Sequence, residues 1–381
     1  MEKKKKETKQ EEIVPGKKVL FFTVTSGAGH NAVTASVKAK FDERGCQTKT
    51  IDLFAHNEEI TKKLSGRKRA NGFKFPRLAN FVWIRSKRRG KGLFDKLVGR
   101  IKDDIIPQIN EFAPDIIISS HVSGQILTHV YGSEITKPFR DYFIITDYNA
   151  PPAMKPERGG DSFIVMPSED FRKELEDAGY TGAQLLPFGI PVNDKFYSIQ
   201  FRTDVLPKLE LPNFDTEAPT VLVMGGGAGL GKIASIVKNL SRNPEIQIIT
   251  VCGWNEELKN RIDKIVERNA KSKKPHARIY NHGYCTNVEE FMTISHFSVG
   301  KTGGVTATEA VAKGLQVVSL NKIPFPEFGS LKYLESKGLA KSVKNITQLE
   351  FYVALKPDER VKSDLLVRHS AEKIVNHALK E

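Results

Sequence analysis

Cysteine is scarce: Cys46, Cys252 and Cys285 are the three in 381 residues. They form no CxxC pair and no zinc-type set. A disulfide framework is excluded, and small thiols in a reducing compartment are expected. No apolar run approaches the ~20 residues that span a bilayer. The start, Met1-Glu2-Lys3-Lys4-Lys5-Lys6, lacks the apolar segment of a secretory signal, and residues 1–17 read as a disordered basic tail. Clusters of His, Asp and Glu with metal-ligand spacing are missing, so neither a metal nor another cofactor is expected. The spacing of a P-loop is missing too, which disfavours ATP hydrolysis.

Acidic residues are nearly absent from residues 61–103. That segment carries fifteen Lys/Arg against Asp95 and Asp103, a net +13 in a chain of net +14. A charge concentrated this way points to an anionic partner surface. Phe73, Phe75, Phe81, Trp83 and Phe94 interleave with cations that include Arg85, Lys87, Arg88, Arg89 and Arg100. Leu93, Phe94, Leu97, Val98, Ile101 and Ile105 form one helical stripe. The make-up is that of an interfacial helix on anionic lipid, and the membrane is the expected partner. A solvated face over an ordinary core stripe reads the same way. Nucleic acid, which also favours mixed basic and aromatic surfaces, is the least favoured of the three readings.

What the chain does have is a glycine-rich loop that occurs twice, each time after a short apolar run. Ser26-Gly27-Ala28-Gly29-His30 follows residues 19–24, and Gly225-Gly226-Gly227-Ala228-Gly229-Leu230-Gly231 follows residues 221–224. A strand that runs into glycines and then a helix brings backbone N–H groups close to a phosphate or an acceptor. With 39% hydrophobic residues and this length, two α/β domains are expected, each with a parallel sheet, facing across a cleft. Their expected bounds are 18–199 and 220–358. A proline-bearing linker lies at 200–219, and a last helical segment at 359–381 is a candidate to pack back on the first domain.

The candidate site residues follow from strand ends. Gly27, Gly29 and Ala32 satisfy G-x-G-x-x-G/A, and Asp52 lies 25 residues after Gly27, as in a dinucleotide fold. His30 argues for another use. An imidazole on that turn crowds a pyrophosphate but suits a general base, although packing within the turn also accounts for it. Asp147 ends an apolar strand and reads as a second base, an orienting partner for His30, or a turn cap. In Lys301-Thr302-Gly303-Gly304-Val305-Thr306 a strand ends and a helix starts, so free N–H groups and the Lys301 charge suit a diphosphate. Glu309, in the second turn, can take both hydroxyls of a ribose or stand as an exposed helix charge.

These residues carry a resemblance. SGAGHNA at 26–32, ITDYNAPPAM at 145–154, VMPSEDFRKEL at 165–175, GIPVNDKF at 189–196, VMGGGAGLG at 223–231, VCGWNEEL at 251–258 and GKTGGVTATEAVAKGL at 300–315 resemble the diacylglycerol glycosyltransferases of glycosyltransferase family 28. The resemblance implies a GT-B fold and a UDP-sugar-dependent hexosyltransferase, cytoplasmic and peripheral on the membrane. It implies His30 as base with Asp147 beside it, and Gly27, Gly29 and Asn31 on the acceptor side. Gly226, Gly227, Gly229, Lys301, Gly303, Gly304 and Thr306 would border the donor diphosphate. Glu309 would bind the ribose, Gly283 and Tyr284 the uracil, and Glu327 the donor sugar. Relatives tend to read P-G-Q-E-x-x-N where this chain has residues 324–330, with Pro326 and Ser330 at the glutamine and asparagine positions. The acceptor is expected to be diacylglycerol or its monoglycosyl product. Another lipid acceptor such as a polyprenyl-linked glycolipid, a nicotinamide-dependent oxidoreductase and a non-enzymatic lipid-binding protein are the alternatives.

Overall fold

A computed structural model describes residues 16–24, 28–55, 93–151, 154, 161–321, 323, 327–355, 360–361 and 366–380. Residues 56–92, which hold Phe73, Phe81, Trp83, Arg85, Lys87, Arg88 and Arg89, lie outside that set, as do Gly27 and Pro326 and the side chain of Phe94.

Continuous apolar runs become fully buried parallel strands, as expected where helices cover both sheet faces. The first half holds β1 (Lys18–Thr23), α1 (Ala28–Glu43), β2 (Gln47–Asp52), α2 (Leu93–Phe112), β3 (Ile116–Ser119) and α3 (Val122–Tyr131). It continues with β4 (Arg140–Ile144), β5 (Ser162–Val165), α4 (Arg172–Asp177) and β6 (Leu185–Leu186). Its strands form one parallel sheet in the order β2-β1-β3-β4-β5-β6. The second half holds β7 (Thr220–Met224), α5 (Ile233–Leu240), β8 (Gln247–Val251), α6 (Glu256–Ala270), β9 (Arg278–His282) and α7 (Val288–Ile294). Then come β10 (Phe297–Gly300), α8 (Gly304–Ala312), β11 (Gln316–Leu320), α9 (Glu327–Ser336), β12 (Ala340–Val343) and α10 (Ile346–Ala354). The second sheet is also parallel, ordered β12-β11-β10-β7-β8-β9. Counted from β7, that is the doubly wound 3-2-1-4-5-6 order, whose ligand crevice opens between its first and fourth strands, β7 and β10. In the first sheet the order reverses between β1 and β3. The glycine loops follow β1 and β7, so each opens at a reversal.

The segment between the sheets is not extended. It forms a short helical turn at Arg202–Val205, buries Leu209 and Leu211, and sets Phe214 against Tyr280 of β9. The last helix, α11 (Ser370–Ala378), lies on the first domain. Arg44 at the end of α1 donates to Glu372 and Asn376, and Ser370 donates to the Gly189 carbonyl. The His377 ring packs among Tyr142, Phe163 and Phe188.

The helical stripe at the end of the basic segment has a different role from the one its composition suggests. Leu97, Val98, Ile101 and Ile105 of α2 are buried in the protein core, Val98 completely. The crossover from β2 to β3 must cover one face of the sheet, and this stripe does so. Leu97 is therefore a core residue and not a membrane contact. The cations point the other way: Arg100 is exposed, and Lys102 pairs with Asp103 and Glu134. Among the described residues no helix is long and apolar enough to cross a membrane.

Candidate functional site

The two glycine loops meet across a cleft of about 570 Å³. A Cβ on Gly227 would sit 2.8 Å from the Ala28 Cβ, and one on Gly29 would sit 3.4 Å from Val305 Cγ2 at the start of α8. Glycine is what lets these walls approach. Gly226 and Gly229 have φ of +68° and +58°, a turn that the Leu230 N–H closes onto the Gly225 carbonyl at 3.0 Å. Gly226 and Gly227 line the cleft; Gly229 stands behind it, against Cys252 and Asn255.

His30, in the first turn of α1, lines the same cleft. Its Nδ1 lies 2.6 Å from the Ser120 carbonyl oxygen, which follows β3 on the far side of the reversal in strand order. A carbonyl only accepts, so Nδ1 carries the proton and the basic lone pair is on Nε2. The Thr146 hydroxyl is 3.5 Å from the same nitrogen, and the His121 ring meets the His30 ring edge-on at 5.0 Å. Asn31 accepts the Thr23 hydroxyl at 2.6 Å, which ties the loop to β1.

Asp147 reaches the opposite wall. Its Oδ1 accepts the Gly304 N–H at 2.8 Å, at the start of α8, where the charge of a carboxylate is favoured by the helix dipole. The orienting contact of His30 described above runs to Ser120, and that of Asp147 to α8. Asp52, the acidic residue at dinucleotide-fold spacing, accepts from Phe54 N at 3.0 Å in the turn after β2.

On the second wall, Gly303, Gly304 and Thr306 line the cleft around the start of α8. Lys301 also lines it, with its ammonium 2.9 Å from Glu327 Oε1. Glu327 is buried, so the two residues assigned to phosphate and sugar form one ion pair. Ser330 is buried as well and accepts from Tyr148 N at 3.1 Å, so at the asparagine position this chain joins the domains. Glu309 keeps a narrow opening to the cleft while protein surrounds the rest of it. Desolvation pushes its carboxyl up to about 8, with Glu289 adding to the rise and Lys195 opposing it. Lys195 comes from the first domain and grips the second through Glu289 at 2.7 Å and the Thr286 carbonyl at 2.5 Å.

Tyr284 lines the cleft and Gly283 lies beside it, next to Lys259. The Tyr284 ring stacks on Trp254 at 4.3 Å between centroids and 14° between planes. Both rings are unusually open, 54% and 63% exposed. Trp254 and Lys195 line the cleft and were missed by sequence reading, as was the buried Ser120 carbonyl behind His30. The signal for Trp254 was available: it stands just past Gly253 at the end of the apolar run that becomes β8, where ligand sites of α/β sheets lie.

A family model described as monogalactosyldiacylglycerol (MGDG) synthase matches residues 30–192. A processive diacylglycerol beta-glucosyltransferase of Staphylococcus carnosus is 27% identical over 340 residues, 86% of this chain and 82% of that protein. The enzyme of the same name from Staphylococcus haemolyticus is 25% identical over 96% of this chain and 91% of its own length. Over most of its length the chain is similar to processive diacylglycerol beta-glucosyltransferases, the likeness its motifs carry. Among solved structures, Acinetobacter baumannii MurG superposes with a TM-score of 0.58 at 12% identity, covering 96% of this chain and all of that one. A UDP-GlcNAc 2-epimerase from Neisseria meningitidis, bound to UDP-GlcNAc, gives 0.53 at 13% identity over 96% of this chain and all of that one. The fold is GT-B, as the sequence implied, and the cleft described above is the one between its two domains.

Proposed function

We propose that this chain is an inverting glycosyltransferase that moves a hexose from a UDP-sugar to diacylglycerol, or to a monoglycosyl-diacylglycerol, at a membrane surface. The observation that carries the reading is the oriented His30. Its Nδ1–H is committed to the Ser120 carbonyl in the same cleft that exposes the start of α8. In the reaction, Nε2 takes the proton of the acceptor hydroxyl while that oxygen attacks the anomeric carbon. The bond from that carbon to the diphosphate breaks on the opposite face, and UDP leaves with the electron pair. The N–H groups at the start of α8 stabilise the leaving charge. Lys301 contributes less than its charge suggests, because Glu327 already compensates it. The carboxylate of Glu309 takes the ribose hydroxyls, and the open Trp254–Tyr284 stack borders the nucleobase end.

The acceptor class rests on the relatives, which are named for diacylglycerol, and on the net +13 of residues 61–103. With the α2 stripe in the core, membrane contact falls to the basic and aromatic residues before it. No metal or other cofactor has a part in this scheme. The test is mass analysis of products from diacylglycerol vesicles and a panel of UDP-sugars. A hexose added to diacylglycerol is expected. Transfer to polyprenyl-linked glycolipids and not to diacylglycerol would replace the acceptor, and UDP-sugar turnover without any transfer would overturn the reading.

A further inference from the structure

The tripeptide 146–148 touches both halves of the reaction. The Thr146 hydroxyl approaches His30, the Asp147 carboxylate holds Gly304 N, and Tyr148 is gripped by the second domain. Tyr148 N donates to Ser330 Oγ at 3.1 Å, its hydroxyl meets Thr308 Oγ1 at 2.7 Å, and its ring stacks on Tyr333 at 5.1 Å. The backbones are close as well. A Cβ on Gly304 would lie 2.2 Å from the Thr146 carbonyl oxygen and 2.6 Å from the Asp147 Cα. This seam joins the domains at the start of α8.

We infer that Asp147 is an internal stand-in for the donor diphosphate: its carboxylate occupies the Gly304 N–H that the diphosphate needs, and donor entry exchanges one anion for the other. The inference rests on the donor reading above and deepens it. An N–H at a helix start selects for anions in general, so a side-chain carboxylate and a phosphate oxygen compete for it. Both are negative and cannot share the point. Exchange frees the 146–148 segment from the anchor that Asp147 supplies, while Tyr148 keeps its own contacts to α8 and α9. Donor binding is thereby communicated to the residue next to His30. Asp147 is in this sense a positioning residue. Its removal has the opposite sign from that of a phosphate ligand.

The experiment compares wild type, Asp147→Asn and Asp147→Ala by calorimetry with two probes, UDP and inorganic pyrophosphate. Removing the competing charge is expected to tighten both probes about threefold to tenfold, the range that a charge at a helix terminus supports. A residue that only held the fold together would weaken binding when removed. Unchanged or weaker binding of both probes overturns the inference. Tighter pyrophosphate with no UDP binding in any form keeps the exchange and overturns the nucleotide reading. Absence of binding by either probe in every form overturns both. A structure of the wild-type protein with pyrophosphate is the check that needs no variant. Asp147 Oδ1 is expected beyond hydrogen-bonding reach of Gly304 N, and its retention there beside a bound phosphate refutes the exchange.

Discussion

If Glu309 takes the ribose of the donor, as proposed above, donor binding should depend on pH. Its carboxyl sits near 8 because burial penalises the charge. To accept hydrogen bonds from both ribose hydroxyls it must be ionised. With a value of about 8, about one carboxyl in ten is ionised at pH 7 and about three in four at pH 8.5. UDP-glucose binding is then expected to tighten about eightfold between those pH values. A UDP-sugar is the right probe, because its diphosphate is a diester and does not titrate in this interval. At pH 7, calorimetry in buffers of different ionisation enthalpy should show release of about 0.9 proton per donor bound. Glu309→Gln should flatten both the affinity profile and the proton release. The sign for stability is the reverse. A carboxyl raised in the folded state favours folding below its unfolded value, and that contribution is lost as pH rises through about 8. The Gln variant without ligand should therefore gain on wild type as the pH is raised. Donor binding that is flat from pH 7 to 8.5, with no proton released, refutes the ribose assignment.

His30→Ala should reduce transfer by about 10²- to 10⁴-fold, the range for loss of a general base, and leave UDP affinity unchanged in the same preparation. Ile101→Ala should cost about 2–5 kcal/mol in urea unfolding, because the side chain is in the core; loss of vesicle binding at full stability would restore the stripe to the membrane. His377 lies below the ordinary imidazole value, first through burial and then through Lys380 and Arg140. The unfolded chain thus takes the proton first, and stability should fall as pH drops below about 6.5. The urea midpoint should shift less between pH 7.5 and 5.5 in His377→Phe than in wild type.

The architecture was legible because burial on both faces leaves little choice of residue. Runs such as residues 116–118 and 221–223 can only be strands between layers of helices, and the glycines after β1 and β7 mark where a backbone must turn tightly. The place of His30 at the cleft was legible too, since a bulky titratable side chain at such a turn conflicts with a simple phosphate loop. The α2 stripe was not. Apolar positions flanked by cations look the same whether lipid or the protein's own sheet covers them, and what decides is the crossover between β2 and β3. The destination of Asp147 was hidden as well. Its partner Gly304 is 157 residues away in the other domain, and only the closed cleft brings them together. The Trp254–Tyr284 stack is invisible for a similar reason, because its two members leave neighbouring strand ends, β8 and β9.

The placement of α11 ties the two lobes together a second time. The chain leaves the first domain once after β6 and comes back once before α11, so two covalent strands cross between the lobes. Arg360 pins the second crossing on its far side, donating to the Lys313 carbonyl at 2.6 Å and to the Thr293 carbonyl, while the contacts of Arg44 and Ser370 pin it on the near side. The lobes are thus tied by two covalent crossings as well as by the Lys195–Glu289 pair and the contacts of Asp147 and Tyr148. For the same reason the first lobe is not a contiguous stretch of sequence: residues 16–199 cut out alone would leave Tyr142 and Phe163 without the His377 that packs on them.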